Sequence, residues 1–126
     1  MKEGNGMKTV IDNMYKFLER RKAEVLEEAS KLAADRRNDE SNFLKAKANI
    51  YDVFKALLNV SCKAAGNDRD TFYADFKKRA ETVPEAWRKS LEAAARYGDD
   101  ARILTEKAKL SAVDEIIDKF NKLMES

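Results

Sequence analysis

Glu24, Glu27 and Glu28 come closest in this chain to a spacing that could do chemistry. Three and four residues apart on a helix they share a face, where they could hold a divalent cation or move a proton if a second segment added ligands. Di-iron bundles combine such glutamates with His in a Glu-x-x-His pattern, and the chain has no His. A centre of that kind is excluded, and the usual near-neutral proton shuttle is missing too. An ordinary solvated helix face is the better reading of the three glutamates, just as Asp99 and Asp100 read as a helix cap rather than a metal pair.

Other reactive side chains lack the company they need. A nucleophilic Cys62 would require a positive surrounding and an accessible sulfur, whereas a small thiol filling a gap requires neither. Ser30, Ser41, Ser61, Ser90 and Ser111 have no base of the usual kind beside them, and no phosphate-loop, dinucleotide, zinc or calcium-loop motif occurs. The sequence therefore predicts no enzyme, no cofactor and no metal.

Binding chemistry offers more. Lys77, Lys78 and Arg79 precede a helix break at Val83 and Pro84, and Arg88 with Lys89 follows it. Those five could line a nucleic-acid surface if they converge, although Glu81, Glu85 and Glu92 dilute it. The aromatic side chains Phe72, Tyr73 and Trp87 in the same region are candidates for a protein contact. Further upstream, Glu19, Arg20, Arg21 and Lys22 interrupt an apolar stripe. They read as snorkelling side chains with Glu24 one turn from Arg20, or as a contact point for an acidic partner.

Composition sets the frame for all of these. The chain has 126 residues, 44% hydrophobic and 38% charged, with four Gly and one Pro, which favours helix and suffices for a core without a staple. Formal net charge is +2, divided as +3 over residues 1–66 and −1 over the rest, so neither half resembles a nucleic-acid arm or an acidic tail. A lone cysteine fits a reducing compartment. No apolar run reaches the roughly 18 residues that span a bilayer, and no secretory leader is visible. The cytoplasm is the expected location.

Periodicity places the elements. Residues 1–8 read as a flexible lead-in with Gly4 and Gly6, and residues 9–126 as one helical domain. A long helix over 9–34 carries Ile11, Met14, Leu18, Val25, Ala29 and Leu32. Residues 35–42 form a polar turn, with Asp39 or Ser41 as the next cap. The second helix ends near Ala65 and bears two adjacent apolar lines. Phe43, Ala46, Ile50, Val53, Leu57, Val60 and Ala64 form the first; Leu44, Ala48, Tyr51, Phe54 and Leu58 form the second. A stripe that wide requires neighbours on more than one side. Gly66 ends this helix and Asp68 or Asp70 caps a shorter one with Phe72, Tyr73, Phe76 and Ala80. Thr82, Pro84 and Glu85 predict a break or strong kink with a capping box. A helix with Trp87, Leu91 and Ala94 then runs to Gly98, and Asp99 or Asp100 caps a final helix with Ile103, Leu110, Val113, Ile117, Phe120 and Met124.

The expected fold is all-α, an antiparallel four-column helical bundle in which two shorter helices, broken near Val83 and Pro84, share one column. By elimination the expected role is that of a small cytoplasmic protein acting through protein contacts, adaptor-like or inhibitor-like, with homodimerisation open to it. A DNA- or RNA-binding regulator is the alternative, and no membrane role is expected.

Overall fold

The computed structural model describes residues 6–125, and among them are five helices and no strand. They are α1 (Met7–Ala34), α2 (Asn38–Ala65), α3 (Arg69–Thr82), α4 (Glu85–Tyr97) and α5 (Asp100–Glu125). The bundle is all-α as expected, with α3 and α4 joined by a slight bend into one column. Of the expected lead-in, residues 1–5 lie outside the described residues, while Met7 and Lys8 already belong to α1.

The turns show how local chemistry sets the boundaries. Residues 35–37 alone connect α1 to α2, a shorter turn than the polar stretch suggested. Arg36 takes a left-handed φ of 62°, and the Arg37 N–H reaches the Leu32 carbonyl at 2.9 Å, which closes the end of α1 in the manner of a Schellman motif. Neither Asp39 nor Ser41 caps α2, whose N-cap position is Arg37 without a side-chain bond. Ser41 is buried instead, and its hydroxyl donates to the Ala29 carbonyl at 2.7 Å, pinning α2 to α1. At the other end Gly66 has φ 60°, where a side chain would be strained. Asp68 caps α3 by accepting from the Thr71 N–H at 3.1 Å, and Asp99 caps α5 by accepting from the Arg102 N–H at 3.1 Å.

At Val83 and Pro84 the expected strong break is reduced to a bend. Val83 keeps α geometry, φ −59° and ψ −41°, because its N–H still bonds the Arg79 carbonyl at 2.9 Å. Pro84 is buried, and its carbonyl accepts from both Trp87 and Arg88 at 3.0 Å, so helical bonding resumes at once. The capping box does not form: Thr82 is the last residue of α3, and α4 starts without a side-chain cap. Proline removes one donor and leaves the surrounding ladder intact.

Packing centres on α2, which lies against α1, α3 and α5, while α4 rests chiefly on α5. Its innermost residues are Ala48, Ile50, Tyr51, Phe54, Leu58, Ser61 and Ala65, close to the second predicted line rather than the first. Val60 and Ala64, from the first line, are exposed. A line with alternating three- and four-residue steps lags a true helix by about 20° per heptad, so over 43–64 it rotates off the buried face. Facing α2, Phe72, Phe76 and Phe120 form an aromatic cluster with ring centroids 4.6 to 6.2 Å apart, and Phe54 meets Phe76 edge-on. Polar ties on the rim add register between α1 and α2: Lys22 with Asp52 at 2.6 Å and Lys55 with Glu19 at 3.0 Å.

Truncating Phe120→Ala removes the ring shared by α3 and α5 and should cost about 3–5 kcal/mol, read as the shift in a urea unfolding curve followed by circular dichroism. Arg36→Gly should instead raise stability by about 0.5–1 kcal/mol, because the left-handed conformation is free for glycine. An unchanged or lowered midpoint for that variant would contradict the role assigned to Arg36.

Candidate functional site

The least completely covered apolar surface is on α4 and the first turns of α5. Trp87, Leu91 and Ala94 fall on one side of α4 by their spacing, yet only Ala94 is buried; Leu91 is partly exposed, and so is Trp87, which also packs against the main core. The cause is topological, since α4 has α5 as its principal neighbour and α1 and α2 are engaged elsewhere. Around the Gly98 turn, Tyr97 is 85% exposed and Leu104 49% exposed. An amphipathic helix covered along one flank leaves its remaining apolar edge open to a partner.

The three aromatic residues singled out in the sequence separate in the fold. Phe72 is 0% exposed and stacks in the core on Phe76 at 6.2 Å, so it is withdrawn as a contact residue. Its position on the inner line of α3, with Phe76 and Ala80, accounts for this. Tyr73 is half-buried, its ring stacked on Phe120 at 5.7 Å with the Lys77 ammonium 5.5 Å above it. Trp87 remains partly exposed, with the Lys109 ammonium 6.0 Å from its ring centre.

The five cations of the nucleic-acid alternative also differ in their circumstances. Arg79 donates to Asp75 at 2.8 Å one turn away, which holds the Asp75 carboxyl below its usual range. Arg88 donates to Glu85 at 2.6 Å and to the Glu81 carbonyl at 3.3 Å. Lys77, Lys78 and Lys89 are exposed. Both arginines are thus locally neutralised, leaving the phosphate-binding part of that reading to lysines.

A charged centre that the sequence did not single out joins α1, α2 and α5. Glu115 accepts from Arg21 Nε at 2.8 Å and from the Tyr51 hydroxyl at 2.8 Å, and pairs with Lys47 Nζ at 2.9 Å. Burial pushes this carboxyl up, but the bonds from Arg21, Lys47 and Tyr51 outweigh it and hold it at about 2. Tyr51 is pushed upward by burial and by its bond to the carboxylate. Both carboxylate oxygens have donors, which is how a partly buried carboxylate is tolerated. Three helices of widely separated sequence supply the groups, so no local spacing could reveal them.

A second buried acid is less well served. Glu106 is 2% exposed; Lys109 lies 3.2 Å from one oxygen, and the other oxygen has no partner. Beside the lower half of α1, a groove of about 520 Å³ is lined by Asn13, Lys16, Phe17, Arg20, Lys119 and Leu123. Cys62 borders an apolar hollow with Met7, Ile11 and Tyr15, and burial pushes its thiol up, away from the thiolate a nucleophile needs. Glu24 is engaged by Arg20 and Arg21 and Glu27 by Lys31. Among the described residues, no group of three or more cysteine, aspartate or glutamate side chains is gathered as metal ligands would be. No described helix is long and apolar enough to cross a membrane.

Comparison of the chain with protein-family models, curated proteins and solved structures finds no match.

Glu115 makes a pH prediction with a definite sign. Its carboxyl lies at about 2 in the fold against 4.5 for a free side chain, so its stabilisation is complete above pH 4.5 and is lost as pH falls towards 2. Glu115→Gln should therefore be less stable than the parent at neutral pH, with the gap closing across that window in paired urea titrations. A gap independent of pH would remove the carboxylate from this role. Glu106→Met should raise stability by about 1–3 kcal/mol, since an apolar side chain replaces a buried acid with an unmet oxygen.

Proposed function

We propose that this chain is a small cytoplasmic helical protein that acts without catalysis, through protein–protein contacts, as an adaptor or inhibitor whose contact face is the open edge of α4 with the start of α5. The observation that carries the reading is the incomplete cover of α4 and the start of α5: Trp87 and Leu91 are partly exposed, and Tyr97 and Leu104 are exposed. A partner helix laid here would bury a tryptophan, a tyrosine and two leucines, and tryptophan and tyrosine are residue types that anchor interfaces. A second copy of the chain could occupy the same edge, which would make the contact isologous.

Support also comes from what the other candidates lack. Cys62 has a raised thiol pKa, and the hydroxyls of Ser41 and Ser111 are spent on backbone carbonyls of their own bundle. For the nucleic-acid alternative, Arg79 and Arg88 are paired with Asp75 and Glu85.

Photo-cross-linking from position 104 in a cell extract, with light scattering of the purified chain, tests the reading. A discrete adduct is expected, competed by unlabelled protein, and a self-adduct would identify the dimer. Tyr97→Glu should abolish the adduct formed from position 104 while changing stability by only about 0.5 kcal/mol, as for other surface changes. Absence of any adduct, together with salt-dependent oligonucleotide binding lost when Lys77, Lys78 and Lys89 are neutralised, would put the nucleic-acid regulator in its place.

A further inference from the structure

The groove between α1 and α5 differs from the rest of the surface in how its charge is arranged. Lys16, Arg20 and Lys119 line it, with Asn13, Phe17 and Leu123 and no acidic side chain. Four other cations of α1 and α5 are matched, Arg21 by Glu115, Lys22 by Asp52, Lys31 by Glu27 and Lys122 by Asp118. Arg20 has only Glu24, at 3.9 Å and outside the groove lining. Lys16 and Lys119 have no ion pair among the described residues. Three basic side chains therefore line one short groove that has no acid in its lining, and Lys16 and Lys119 are the two without an ion pair among the described residues.

Its floor is apolar and its cations are held in place. The Arg20 guanidinium lies 5.7 Å and the Lys119 ammonium 5.9 Å from the centre of the Phe17 ring, contacts that orient both side chains before anything binds. Lys16 and Arg20 are one helical turn apart, a rise of about 6 Å, with Phe17 between them in sequence and Lys119 facing from α5. That arrangement fits carboxylates spaced one turn apart on a second helix, with an apolar side chain between them.

We propose that this groove docks an acidic amphipathic helix of another protein, its carboxylates pairing with Lys16, Arg20 and Lys119 and an apolar side chain seated against Leu123. A single nucleic-acid strand fits less well, because base stacking needs a free ring face and two cations already sit over Phe17. A free phosphate would leave the apolar floor unused. The groove shares no residue with the edge of α4, so this proposal stands or falls apart from the contact assigned there. Rim charges of this kind act through steering and selectivity, and their effect weakens as salt screens them.

The test uses the full chain and a fluorescein-labelled peptide built on the repeat Glu-Leu-Glu-Glu-Leu-Ala-Glu, followed by anisotropy at low and physiological salt. Saturable binding is expected, weakened about tenfold by Lys16→Glu with Lys119→Glu. Lys107→Glu, an exposed change elsewhere on α5, should leave it unaltered. The counterpart peptide with Lys for Glu should bind the charge-reversed variant better than the parent. Lys16→Gln with Lys119→Gln, checked by circular dichroism, serves if the reversal disturbs the fold and should weaken binding in the same direction. Absence of saturable binding, an equal loss with Lys107→Glu, or tighter binding of oligo-dT at the same residues would overturn the proposal.

Discussion

The structure depends on one constraint: α2 carries apolar side chains around more of its circumference than a single neighbour can cover. Ile50, Tyr51, Phe54 and Leu58 are all fully buried within little more than two turns, pointing in directions that one helix could not shield together. Burial of each large apolar side chain is worth about 1.5–3 kcal/mol, so leaving any side of α2 open would cost more than a typical surface can return. α1 covers one flank through a three-residue connection, α3 the other through the Gly66 turn, and α5 closes the remaining side. α4 is left chiefly with α5, and its incompletely covered edge follows from that order of claims on α2.

Apolar burial specifies that the helices meet, but it sets register only loosely. Polar contacts of high geometric demand supply the rest. Ser41 bonds the Ala29 carbonyl near the first turn, and Glu115 collects Arg21, Lys47 and Tyr51 near the middle of the bundle. Sliding any of these helices by one turn would leave a partly buried carboxylate without its donors, a penalty that slippage in a purely apolar seam does not incur.

Much of this architecture is legible in the sequence because helical spacing is a local property. The two long lines on α2, the glycines at 66 and 98 and the caps at Asp68 and Asp99 each depend on residues within one turn of one another. What fails to show is what depends on distant segments. The inner face of α2 is set by where α3 and α5 arrive, so a line such as Val60 and Ala64 can be apolar and exposed. Ser41 looks like a cap until Ala29 is known to lie opposite. Phe72 resembles an available aromatic until Phe76 and Phe120 close over it. Pro84 predicts a break from its own geometry, whereas the bend is decided by the intact bonds on either side and by the burial of the ring.

The same separation governs the surface charge. With 25 basic and 23 acidic side chains, the chain is close to neutral, and composition alone suggests a uniformly mixed exterior. In the fold, pairing is uneven. Local pairs at three- and four-residue spacing neutralise Arg79, Arg88 and Lys122, and pairs between helices neutralise Arg21, Lys22 and Lys55. The interruption of the α1 stripe at residues 19–22 thereby divides. Three of its four charges are absorbed by α2 and α5, while Arg20 turns toward Phe17 and the unpaired lysines beside it. Three basic side chains are thus gathered in a groove whose lining holds no acid, in a region unremarkable in composition.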